Sequence, residues 1–281
     1  MTDTFVFAAP EASHTLPLVF DSPHSGQLFP SDFVSRVQPE QLLTGCDLFV
    51  DDLWESVPAV GGHLLSARYS RMYVDLNRAP DDIDPLLLEG PLEGINPTAY
   101  SERGMGLIRR LALPDVPMYD SRFSLSQIHT RIHEYHKPYH QQLKSTLDAL
   151  HERFSGVWHI DCHSMKSRGN RMNIDSGALR PDVVLGDNDG HSAGADFIDV
   201  IEQAFVRLGY SVVRNSPYKG GYLVRNYGDV TNNRHSMQIE INRALYMNEQ
   251  KFSPNENYAA FKKDLFTISQ QIADFVAHTA A

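Results

Sequence analysis

Short apolar runs that stop at polar turns alternate along this chain with longer stretches of helical period, and that alternation constrains its fold more than any other feature. Leu16, Pro17, Leu18, Val19 and Phe20 form one such run, which halts at Asp21 and the turn DSPHSG. The pattern reads as a buried strand ending in a loop. Pro17 has no backbone donor, so it suits the beginning of a strand. VWHIDCHS, DVVLGD, YSVVRNSPY and SMQIEINRALY each predict a further strand, and HLLSARYSRMYVDLNR one or two. Apolar spacing predicts helices over 39–57 and 126–154, over GADFIDVIEQAFVRLG, and over the closing NYAAFKKDLFTISQQIADFVAHTA. Pro138 predicts a kink in the second of these. GLIRRL reads as a short helix or strand with a basic outer face. Strands alternating with helices place the chain in the α/β class, as a three-layer α/β/α sandwich. No Pro/Gly/Ser-rich linker interrupts the 281 residues, so 1–281 reads as a single domain.

Charge narrows the function. The formal net charge is −10 and the sequence pI about 5.7, without the basic footprint of a nucleic-acid binder or a polybasic membrane-surface protein. MTDTFVFAAPEASH has no basic segment before an apolar stretch, and no apolar run is long enough for a membrane span. Cys46 and Cys162 cannot make a disulfide framework and suit reduced thiols. A cytoplasmic α/β protein with no nucleic-acid or membrane partner is expected.

In open α/β sheets ligands bind beyond the carboxyl ends of strands, so polar residues there come first. His24 follows one buried strand and His163 ends another, in IDCHS. Neutral imidazole is a good zinc ligand, and Asp161 could fix the tautomer of a neighbouring ring. Cys162 alternates in phase with Ile160 and reads as a core thiol. GCDLFVDD offers Asp47, Asp51 and Asp52, with Asp47 and Asp51 on one face of the expected helix; Gln27 is a poor ligand. Period two sets Gln238, Glu240 and Asn242 on one face of their strand and Met237, Ile239 and Ile241 on the other. Glu240 is then either a buried general base or one member of a solvated face. Asn77 and Arg78, in VDLNRAP, suit a carboxylate grip or a loop salt bridge. Gly220 and Gly221, flanked by Lys219, Tyr222 and Arg225, read as a flexible loop able to cover a pocket and lend a cation. His129, His133, His136 and His140 read as solvent-facing or helix-packing residues.

Together SPHSG, GCDLFVDDL, YSRMYVDLNR, HKPYH, IDCHSM, DVVLGD, PYKGGYLVRNYG and MQIEINRALYM resemble the N-formylglutamate amidohydrolase (deformylase) family, from about residue 16 to residue 250. The resemblance implies a metal-dependent hydrolase that splits N-formyl-L-glutamate into glutamate and formate in histidine degradation. It also implies a mixed central sheet of the zinc-carboxypeptidase and aspartoacylase type. In the more distant aspartoacylase pattern, D-x-N-R is matched by Asp75, Asn77 and Arg78, the second histidine ligand by His163, and the catalytic Glu by Glu240. The first metal motif, His-x-x-Glu, reads His24-Ser25-Gly26-Gln27 here. The third ligand then falls on Asp47 by similarity to the deformylase family, with Asp51 second.

The expectation is that His24, Asp47 and His163 hold one divalent metal, zinc by its ligand types. Glu240 would assist attack of zinc-bound water on the formyl amide, and Arg71 would help stabilise the oxyanion. Arg78 and Asn77 would grip one carboxylate of a small anionic N-acyl amino acid, and Arg225 or Lys219 the second. Two alternatives stand beside this: a different acyl group, or a non-catalytic ligand-binding relative.

Overall fold

The computed structural model describes residues 3–280, so the ends of the expected 1–281 domain, Met1 and Thr2 of the N-terminal segment and Ala281, lie outside the described residues. Seven strands make the main sheet: β1 Phe5–Ala8, β2 Leu18–Ser22, β3 His63–Ala67, β4 Val157–Met165, β5 Val183–Gly186, β6 Val212–Arg214 and β7 Arg234–Asn242. Their spatial order is β1-β3-β2-β4-β7-β5-β6. β3, β2, β4 and β7 pair in parallel, while β1 on β3 and β5 on β7 are antiparallel, so the sheet is mixed. From β2 the chain passes to β3 on one side and then returns to β4 on the other. That reversal opens a crevice at the carboxyl ends of β2 and β4, where ligands bind in sheets of this kind.

Alternation within the strands separates two apolar layers. Leu18, Phe20, Ile160, Cys162, Met237, Ile239 and Ile241 pack with Phe197, Ile201 and Phe205 of helix α3 (Ala195–Arg207) and with Leu265, Ile268 and Ile272 of α5 (Tyr258–Thr279). On the opposite face Val19, Leu65 and Val157 pack with Tyr139, Leu143, Leu147 and Leu150 of α2 (Lys137–Phe154) and with Leu223 of α4 (Tyr222–Tyr227). Burial of each such side chain stabilises the fold by about 1.5–3 kcal/mol. Cys162 is a core thiol as expected. No helix among the described residues is long and apolar enough to cross a membrane.

Several local expectations are corrected. The helix over 39–57 is broken into Pro39–Leu43, Val50–Leu53 and the 3-10 turn Val57–Val60, with Phe49 at φ 68° between the first two. Asp47 therefore shares no helix face with Asp51. HLLSARYSRMYVDLNR, expected to hold one or two strands, holds one, β3, and then a series of turns, which agrees with the lower expectation. GLIRRL is an irregular loop up to Leu111, and its Arg109 is buried rather than on a basic outer face. β1 and the short helix α4 carry no strong periodic signal and were not expected from the sequence.

The helix expected over 126–154 is interrupted. α1 (Leu125–Arg131) runs into a π-helical turn, Ile132–His136, and then into α2. A proline ring crowds the carbonyl four residues earlier. For Pro138 that carbonyl belongs to Glu134, inside the widened turn. The same turn stacks His136 on His140 with ring centroids 4.1 Å apart, whereas His129 and His133 are exposed. His136 Nε2 donates to Arg78 O and His140 Nε2 to Leu76 O, each at 2.9 Å, so the pair pins the backbone on both sides of Asn77. His140 Nδ1 accepts from Tyr227 Oη at 2.8 Å.

Burial, with His136 beside it, pushes His140 down to about 3. The unfolded chain takes up a proton there below its ordinary value near 6.5 and the folded chain does not, so this residue's contribution to stability is lost as the pH falls from about 6.5 towards 3. Urea unfolding of His140→Gln across that window is expected to show a shallower fall than the parent, by at most about 1.4 kcal/mol per pH unit. Parallel curves would show that His140 is not buried in its neutral form.

Candidate active site

Three elements converge at the crevice. β2 ends in the turn that carries His24, β4 carries His163, and the segment before Val50–Leu53 carries Asp47. Asp47 N donates to His24 O at 2.9 Å, which ties that segment to the end of β2. His24, Asp47 and His163 are each about 2% exposed. One donor atom from each lies within 4.8 Å of the other two. The two imidazole centroids are 4.6 Å apart. Asp51 lies elsewhere, beside a shallow depression with Gln27 and Asp52.

Each imidazole has a carboxylate on its far edge. His24 Nε2 donates to Asp75 Oδ1 at 2.6 Å. Asp161 Oδ1 stands 2.7 Å from His163 Nε2 as an ion-pair contact, and Asn77 Nδ2 lies 2.9 Å from the same nitrogen. Both Nδ1 atoms then face Asp47 Oδ2, at 3.6 Å from His24 and 3.0 Å from His163. His24 Nδ1 is buried with no hydrogen-bond partner. Burial, reinforced by Arg71, lowers the pKa of His24, which leaves a neutral ring with its lone pair pointing into the cluster. Burial opposes a charge on His163, but Asp161 and Asp47 hold its pKa well above the usual imidazole range. Burial opposes a charge on Asp47 too, yet its hydrogen bond with His163, the nearby His24 ring and Arg243 hold it well below the usual carboxylate range.

These donors fit a metal ion. A tetrahedral zinc with nitrogen and oxygen ligands places its donor atoms about 3.3 Å apart. An orphaned imidazole nitrogen, a second imidazole and an ionised carboxylate lie near that spacing, and Asp75 and Asp161 complete carboxylate–histidine pairs behind them. Arg243 Nη2 donates to Asp47 Oδ1 at 2.8 Å, leaving Oδ2 for the cluster.

Glu240 is the Cα partner of His163 across the parallel β4–β7 pair, so register alone sets the two side by side on the polar face. It is 8% exposed, and Gln238 Nε2 donates to its Oε1 at 2.7 Å. Burial pushes its carboxyl up to about 7, against the opposing pull of His163. The cavity above these groups has a volume of about 160 Å³. Arg71, Asn77, Arg78 and Lys219 line it, together with Arg109, Arg180 and Tyr218, which the sequence reading had not singled out for the site. Arg71 Nη2 donates to Asp75 Oδ2 at 2.6 Å. Asn77 is fully engaged: Nδ2 donates to Asp161 Oδ2 at 2.8 Å, and Oδ1 accepts from Leu223 N at 2.9 Å. Arg225 is exposed, donates to Gly220 O and does not line the cavity, because α4 turns its side chain outward. Lys219 reaches the rim but pairs with Asp189 at 2.6 Å.

The model of the N-formylglutamate amidohydrolase family matches residues 16–247. The chain belongs to that family. It is 32% identical to the N-formylglutamate deformylase of Pseudomonas putida over 248 residues, 87% of each chain. It is 30% identical to the corresponding enzyme of Pseudomonas aeruginosa over 239 residues, 84% of each. Its structure is similar to the crystal structure of N-formylglutamate amidohydrolase from Ralstonia eutropha JMP134, with a TM-score of 0.94 and 41% identity over 98% of this chain and 99% of that one. Like other members of the N-formylglutamate amidohydrolase family, it is a hydrolase acting on an amide bond.

Gly221 marks a close approach within this family member's site. A Cβ there would sit 2.3 Å from Asn77 Oδ1, and Gly221 N donates to Gln238 Oε1 at 2.8 Å. Asn77 cannot retreat without breaking its bonds to Asp161 and Leu223. Gly221→Ala is expected to cost about 1–3 kcal/mol in thermal or urea unfolding, and to lower turnover through a displaced Asn77. Unchanged stability and turnover would mean that the Lys219–Gly221 loop moves freely relative to Asn77.

Proposed function

We propose that this protein hydrolyses N-formyl-L-glutamate to L-glutamate and formate, as a single metal-dependent amidohydrolase domain working in the cytoplasm in histidine degradation. The observation that carries this reading is the meeting of His24 Nδ1, His163 Nδ1 and Asp47 Oδ2 beside Glu240, under a cavity lined with arginines. The names of the Pseudomonas relatives supply the substrate.

His24, Asp47 and His163 would hold one divalent ion, with zinc suited to two imidazoles and a carboxylate. Such an ion supplies Lewis acidity, which polarises a carbonyl and acidifies water. Glu240, buried and raised to about 7, can take a proton from the attacking water on a carboxylate oxygen near neutral pH and return it to the leaving amine nitrogen. The hydrogen bond from Gln238 Nε2 fixes Oε1 and leaves Oε2 for that exchange. Arg71, held by Asp75, places a fixed positive charge where negative charge grows on the formyl oxygen. Arg78 Nε and Nη1 donate to Met105 O and Asn77 O, and the guanidinium lies 3.9 Å from the Tyr100 ring centroid. This orients its remaining N–H groups to grip a substrate carboxylate, while Asn77 acts by holding Asp161 and the start of α4 in place.

Glu240→Gln is expected to keep its metal, measured by elemental analysis, and to lose about 100- to 10,000-fold in formate release. Near-parental turnover would remove Glu240 as the base. Asp47→Ala is expected to lose the metal and formate release together. Stoichiometric metal in that variant would remove Asp47 as a ligand. Release of a different acid from other N-acyl amino acids, without formate from N-formylglutamate, would move the substrate and keep the chemistry.

A further inference from the structure

Seven cations line the cavity, and not every one has a carboxylate of its own. Arg71 is paired with Asp75, Arg180 with Asp175, Arg243 with Asp47 and Lys219 with Asp189. Lys166, also on the wall, has no carboxylate within 4 Å among the described residues, but its ammonium donates to Thr44 Oγ1. Arg78 donates to backbone carbonyls and has no carboxylate partner within 4 Å among the described residues. Arg109 stands further from compensation. It is 8% exposed, and its Nε is buried with no hydrogen-bond partner. The one carboxylate within 4 Å, among the described residues, is Asp75, whose Oδ2 lies 3.8 Å from Nη2 and already accepts from Arg71. Burial, with Arg71 beside it, pushes the Arg109 pKa down to about 9.

A buried guanidinium without hydrogen-bond partners is costly, and a fold keeps one when a ligand supplies the missing acceptor. The loop that carries it is firmly built. Leu107 N donates to Asp82 O and Leu107 O accepts from Asp75 N, each at 2.8 Å, while Met105 and Arg109 form an isolated antiparallel bridge. The side chain is thus held at the cavity wall by its backbone. Two uncompensated guanidiniums, Arg78 and Arg109, in one cavity match a ligand with two carboxylates. We infer that Arg109 receives the substrate carboxylate that Arg78 does not hold, making it a specificity-determining residue for dicarboxylic N-formyl amino acids. The inference rests on the deformylase reading for its substrate, and it replaces Arg225 and Lys219 as the second carboxylate's partner.

The test pairs two variants of the metal-loaded enzyme with truncated substrates. kcat/KM is measured for N-formyl-L-glutamate, for N-formyl-L-norvaline, which lacks the side-chain carboxylate, and for 4-formamidobutyrate, which lacks the α-carboxylate. Arg109→Gln is expected to lose about 100-fold on N-formyl-L-glutamate, a scale set by truncating one partner of a buried charge pair. That penalty is expected to vanish on one truncated substrate, and the penalty of Arg78→Gln on the other. Arg109→Lys is expected to recover part of the loss. Arg109→Gln is also expected to keep or raise the melting temperature, since it removes an unpaired buried charge. A penalty equal on all three substrates, or a lowered melting temperature with no change in selectivity, overturns the assignment and makes Arg109 structural. If the parent enzyme releases no formate, the deformylase reading fails by itself. Calorimetry with glutarate and butyrate then decides the Arg109 assignment: preference for glutarate in the parent and its loss in Arg109→Gln support it, and equal preference in both overturns it.

Discussion

Two imidazoles, each backed by a buried carboxylate, face a third carboxylate, and the rest of the site depends on that arrangement. Asp75 and Asp161 occupy the Nε2 edges of His24 and His163, so both Nδ1 atoms face Asp47. Asp47, Asp75 and Asp161 with Glu240 concentrate buried acidity at the crevice, a state that is costly unless a cation joins it. Arg71, Arg243 and His163 supply part of that charge. The orphaned Nδ1 of His24 marks where a metal ion would supply more.

The same polar face of the sheet continues inward, but its chemistry changes with depth. One layer below, His159 Nδ1 lies 2.7 Å from Ser236 Oγ, and Nε2 lies 2.9 Å from Asp21 Oδ1, which shares its carboxylate with Tyr139 Oη at 2.7 Å. A serine, a histidine and an aspartate in that order can make a nucleophilic triad. Here all three are at most 1% exposed, and none lines the cavity. The network therefore satisfies polar groups where α2 packs on β2 and β4, and locks the strands whose ends carry the site. Identical residue types do structural work in one layer and present reactive atoms in the next, because only the outer layer reaches the crevice.

Much of the architecture was legible because burial leaves a periodic trace. The runs at Leu18–Ser22, Val157–Met165 and Arg234–Asn242, and helices α3 and α5, are strongly patterned and fall where the sequence placed them. The helix expected over 39–57 failed because apolar residues at helical spacing also suit successive single turns. Phe49 in a left-handed conformation interrupts them and swings Asp47 away from Asp51. Arg109 was missed for a related reason. In GLIRRL it looks like one of two surface cations, and nothing local distinguishes a buried guanidinium from the half-buried Arg110 beside it.

The sequence by itself determined which residue types end the buried strands. It placed histidines after β2 and in β4, an acid in phase with them on β7, and an Asn-Arg pair after a strand, because those choices are written in period two and in turn chemistry. Only the tertiary structure decided which of these groups meet. The parallel register of β4 against β7 sets Glu240 beside His163, the crossover from β3 to β4 opens the crevice, and Arg243 draws Asp47 into it. Partners separated by many tens of residues leave no periodic trace in the chain, and their distances are fixed by sheet pairing and packing alone.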